Sequence, residues 1–65
     1  MVYRAAFGPP VFMHVVAKTP QRAAEIAAKR LGVPFGQFGV YQRLRRGSQV
    51  HEGEVWVENG RATNG

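Results

Sequence analysis

Cysteine is absent from the chain, so no disulfide and no thiolate metal site can brace it. Acidic residues are scarce, four against nine Lys and Arg, and the net charge of +5 on 65 residues points to a polyanionic partner or surface. The only histidines, His14 and His51, lie too far apart for a His-x-x-x-His zinc pair, and neither a metal nor a cofactor is expected. No apolar run approaches the roughly 20 residues that span a bilayer. Arg4, Gly8, Pro9 and Pro10 also interrupt the segment where a signal peptide would need a continuous apolar stretch. No membrane partner is therefore expected, and the default location is cytoplasmic.

Catalytic constellations are missing as well. Glu52 and Glu54 flank Gly53 without a pocket to separate their protonation. Ser48 and His51 share a polar stretch that offers neither an orienting acid nor an oxyanion site. Gly32 and Gly36 are not followed by the Gly-Lys-Ser/Thr of a phosphate loop. The chain reads as a binding module and not as an enzyme.

What is present is organised around one helix. Thr19 offers a capping hydroxyl, Pro20 suits the first helical position, and Gly32 and Pro34 close the segment. Between them Ala23, Ala24, Ala27, Ala28, Ile26 and Leu31 form an apolar arc opposite Gln21, Arg22, Glu25 and Lys29, with Arg30 intruding on the arc. An alanine face permits close approach, so the helix is expected to lie flat on a sheet. Val11 to Ala17 is the strongest strand signal, and Val2 to Phe7 forms either its hairpin partner or an irregular arm. If the two pair around Gly8-Pro9-Pro10, Arg4 and His14 become neighbours.

After the helix, Phe38, Val40 and Leu44 alternate with Tyr41, Arg43 and Arg45, and Val55 and Val57 alternate with Glu54, Trp56 and Glu58. Residues 46–53 read as the loop between these strands. One register sets Tyr41 opposite Trp56 and Arg43 opposite Glu54; the next sets Arg43 opposite Trp56 and Arg45 opposite Glu54. The expected fold is α+β in the order (β)βαββ, a single domain over residues 1–58. One helix packs on a three- to four-stranded, mostly antiparallel sheet, and residues 59–65 form a flexible tail. Candidate core residues are Phe7, Val11, Phe12, Met13, Val15, Val16, Ile26, Leu31, Phe35, Phe38, Val40, Leu44, Val55 and Val57, few enough to favour a homo-oligomer.

The functional signal is the basic and aromatic surface of the second hairpin. Arg43, Arg45 and Arg46 match phosphate oxygens, Tyr41 and Trp56 offer stacking surfaces, and Lys29 and Arg30 add charge from the helix. DNA or RNA is the expected partner. The alternative is a protein-interaction or regulatory module that uses Trp56 and Tyr41 within an arginine rim, its partner either a second copy or an acidic protein surface.

Overall fold

The computed structural model describes residues 1–8, 11–44 and 46–63. Two layers form an α+β domain. Strands β1 (Val2–Ala6), β2 (Phe12–Val16), β3 (Phe35–Arg43), β4 (Gln49–Glu58) and β5 (Arg61–Ala62) make one sheet in the order β2-β1-β3-β4-β5. Every adjacent pair is antiparallel. Helix α1 (Pro20–Leu31) covers one face and is the only helix among the described residues. The sheet thus holds more strands than the three to four expected, and β1 inserts between β2 and β3. Among the described residues no helix is long and apolar enough to cross a membrane.

Both ends of α1 follow their local chemistry. The Thr19 hydroxyl accepts from the Arg22 N–H at 3.1 Å, a cap worth about 1 kcal/mol. Gly32 closes the helix in the left-handed region, φ 71°, which costs glycine nothing. Between the caps Ala23, Ala24, Ala27 and Ala28 are buried against Tyr3, Ala5, Val15, Ala17, Phe38, Val40, Val55 and Val57. Ile26 and Leu31 pack at the margin, and Arg30 is exposed.

Several expected core residues lie elsewhere. Val11, Phe12, Val16, Phe35 and Leu44 are exposed, while Tyr3, Ala5 and Ala17 take buried positions. Phe12 and Val16 alternate with Met13 and Val15, and only the latter two point toward the helix layer. Hydrophobicity alone does not tell the two sides of β2 apart.

The β1–β2 connection closes with the Phe7 N–H bonded to the Val11 carbonyl at 2.8 Å and the Val11 N–H to Gly8 at 2.7 Å. Residues 1–8 are therefore a strand and its turn and not an arm; Pro9 and Pro10 lie outside the described residues. Phe7 then folds across β3, its ring 5.2 Å from that of Phe38. A Cβ at position 36 would overlap the Phe7 ring, so Gly36 is required by close approach.

The β3–β4 hairpin departs most from expectation. β4 begins at Gln49; before it the Leu44 N–H bonds to the Ser48 carbonyl at 2.9 Å, and Gly47 adopts φ 82°. Trp56 faces Gln37, Glu54 faces Gly39, Tyr41 faces His51 and Arg43 faces Gln49, which replaces both expected registers. Glu52 has no partner, because Val40 pairs with Gly53 and the next residue, Tyr41, pairs with His51. Glu52 is therefore the extra residue of a β-bulge. The outer half of this ribbon extends past the helix and is exposed on both sides, so its sequence lacks the apolar alternation that marks a strand.

Residues 59–65, expected as a tail, contain a turn and β5. Asn59 and Gly60 both take positive φ, 52° and 80°, which matches a two-residue hairpin turn. The Thr63 N–H bonds to the Trp56 carbonyl at 2.8 Å. On the outer edge of β5 the Ala62 N–H donates to Glu25 Oε2 at 2.8 Å, which ties the last strand to the helix.

Two outcomes follow from these contacts. Gly36→Ala should destabilise by about 1–3 kcal/mol in urea denaturation. Combined with Phe7→Ala it should cost less than the sum of the single changes, because the clash is then gone; strict additivity would show that the ring does not hold this position. Glu25→Ala should speed hydrogen exchange at the Ala62 amide, and unchanged exchange there would rule out the carboxylate as its partner.

Candidate functional site

Tyr3 and Ala5 of β1 lie under the helix, so alternation places Arg4 on the face that the helix leaves open. Cα pairing then builds a row across four strands: His14 beside Arg4, Arg4 beside Tyr41, and Tyr41 beside His51. The next row is Phe12, Ala6, Gly39 and Glu54. Beyond it Trp56 stands opposite Gln37, and its side chain is exposed.

Arg4 occupies the centre of this face. Its guanidinium carbon lies 4.2 Å from the centroid of the Phe12 ring, and Nη1 donates to Gln49 Oε1 at 3.5 Å. Its Nε is buried and has no hydrogen-bond partner among the described residues. Arginine over an aromatic face gains cation–π attraction, but an unpaired buried donor loses its hydration without return.

A hollow of about 350 Å³ opens beside the guanidinium, lined by Arg4, Ala6, Phe12, Gly39, Tyr41 and Glu54 among others. It exists because two small residues, Ala6 and Gly39, sit side by side in its floor. A Cβ at Gly39 would come within 3.0 Å of a Glu54 carboxylate oxygen. Along one wall the Tyr41 and His51 rings stack with centroids 4.7 Å apart and an interplanar angle of 28°. His51 Nε2 lies 3.0 Å from Glu54 Oε2, which engages a carboxylate that borders the hollow. Both groups are half-exposed, so this contact orients side chains more than it stabilises the fold.

The expected site residues divide between the two layers. Tyr41, Arg43 and Trp56 share the open face, and Arg46 lies in the exposed turn at the end of the ribbon. Arg45 lies outside the described residues. Lys29 and Arg30 are exposed on the last turn of the helix, in the other layer, where they border a separate hollow near Gly60. Tyr41 and Trp56 are not cross-strand partners, and the stacking partner of Tyr41 is His51.

Arg4 and Phe12 were missing from the expected set. Alternation of Tyr3 and Ala5 around Arg4 carried part of the signal. Its central position needed the further fact that β1 lies inside the sheet. The open face carries Arg4, Arg43 and Arg61 against Glu54 and Glu58, and the aromatic rings stand among them. Such an arrangement can bind anions beside planar, apolar groups. No protein-family model, curated protein or solved structure matches the chain, so its function is read from the chemistry of this face.

Proposed function

We propose that the protein is a non-enzymatic nucleic-acid-binding module whose open sheet face takes single-stranded DNA or RNA. The observation that carries this reading is the Arg4 guanidinium, held against Phe12 with a buried, unpartnered Nε beside a hollow that Tyr41 borders. A phosphate oxygen in that hollow would supply the missing acceptor in a charge-assisted hydrogen bond. Trp56 and the Tyr41–His51 pair present ring faces on which bases stack, and every base has such a face, so stacking tolerates sequence. Arg43 and Arg46 extend the positive charge toward the end of the ribbon. Lys29 and Arg30 stand on the helix and are left out of this contact surface.

Protein interaction is the second reading, and the same face favours it in one respect. Phe12, Val16, Phe35 and Trp56 are exposed there, the residue types that a partner protein desolvates at binding hot spots. The two readings make different demands on salt. Phosphate binding depends on counterion release, whereas an apolar protein contact is largely indifferent to it.

Trp56 is the only tryptophan and reports directly on its own surface. Titration with short single-stranded DNA and RNA should quench its emission, with log K falling steeply as salt rises. Arg4→Ala and Arg43→Ala should each reduce the salt slope by about one, and Trp56→Ala should weaken binding by about 1–3 kcal/mol. Absence of binding at low salt, checked by anisotropy of labelled oligonucleotides, would sink the nucleic-acid reading and leave a protein partner.

A further inference from the structure

The two edges of the sheet are treated differently. At one edge β5 is two residues long and its outward Ala62 N–H is occupied by the Glu25 carboxylate, while residues 49–55 of β4, which β5 does not reach, carry the bulge at Glu52 and the charge of Glu54. The β2 edge is five residues long, Phe12–Val16, and none of the described residues covers it. It holds no lysine, proline, bulge or inward charge, the devices that normally keep an edge from pairing.

The free backbone groups can be assigned from the ladder. The Phe7 N–H bonds to Val11, and the Ala17 N–H bonds to Met1 at 3.0 Å, so these are hydrogen-bonded pairs of the β1–β2 ladder. Antiparallel pairs alternate between bonded and non-bonded, which makes Ala5 with Met13 and Tyr3 with Val15 the bonded pairs between them. The N–H and C=O groups of Phe12, His14 and Val16 therefore point away from the sheet.

From this spacing we infer that β2 pairs antiparallel with β2 of a second copy about a two-fold axis at His14. In that register Phe12 faces Val16 of the second copy, His14 faces its equivalent, and Val16 faces Phe12. All three facing pairs are of the bonded type, so every outward group of the edge finds a partner. Centring the axis on Met13 or Val15 leaves one of the three residues unpaired, and a one-residue slip without symmetry sets outward groups against side-facing ones. The side chains agree with the backbone. Phe12 and Val16, 43% and 74% exposed, lie on the open face, where each would cover the other across the new ladder. Opposite them Met13 and Val15 face one another on the helix side.

The axis runs perpendicular to the sheet, so both helices fall on one side and both open faces join on the other. Ten strands become continuous, and the two Arg4 residues stand on either side of the His14 pair. The pairing itself is independent of what the open face binds.

Sedimentation equilibrium of the full chain over a wide concentration range should show a monomer–dimer equilibrium. Amide exchange at Phe12, His14 and Val16 should be slow where the dimer dominates and fast on dilution, while Met13 and Val15 stay protected throughout. Val16→Lys should raise the dimer dissociation constant by about tenfold or more through charge on both strands at the joint. His14→Pro removes an outward N–H without touching the β1 ladder and should do the same; circular dichroism checks that each variant keeps its fold. A monomer at every concentration overturns the pairing. So does a dimer whose Phe12, His14 and Val16 amides stay open, or one that both substitutions leave intact.

Discussion

The helix meets the sheet through methyl groups. Ala23, Ala24, Ala27 and Ala28 bring its backbone close to β1, β3 and β4, and the larger side chains that fill the space come from the strands. Phe38, Val40 and Val57 are the largest side chains buried completely, and all three belong to the hairpin. A single helix of this kind can cover only one face of a five-stranded sheet. That limit decides the fate of the remaining residues: half of every strand must face outward, whatever its hydrophobicity.

On the open face the chain answers this constraint with mixed chemistry. Aromatic rings stand next to arginines, and small residues lie where a hollow forms. A face made only of charge would have satisfied water, and a face made only of valine would have aggregated. Arg4 illustrates the compromise, since its planar group lies on the Phe12 ring while one nitrogen of that group is left without an acceptor.

The helix, its two caps, the strand at β2 and the inward positions Phe38, Val40, Val55 and Val57 were legible in the sequence, because each is a local pattern with a local cause. The proximity of Arg4 and His14 followed from one hairpin. The register of the β3–β4 ribbon did not follow, because alternation predicts register only where one face is buried, and the outer half of the ribbon has no buried face. Strand β5 is too short for any periodic signal and depends on Glu25, a contact from a distant segment. The candidate site was half legible for the same reason. Tyr41, Arg43 and Trp56 lie on one strand pair, whereas the place of Arg4 depends on strand order, which no local pattern encodes.

Glu52 gives β4 two reading frames. Before the bulge the odd-numbered Gln49 and His51 face outward; after it the even-numbered Glu54, Trp56 and Glu58 do. A pair of residues added within either frame would leave the facing of every other side chain unchanged, as a codon insertion leaves a message readable. A single residue would not, unless it were absorbed beside Gly53, whose φ of 127° already accommodates the shift. Variation in the length of this ribbon is therefore quantised in twos everywhere except at one point.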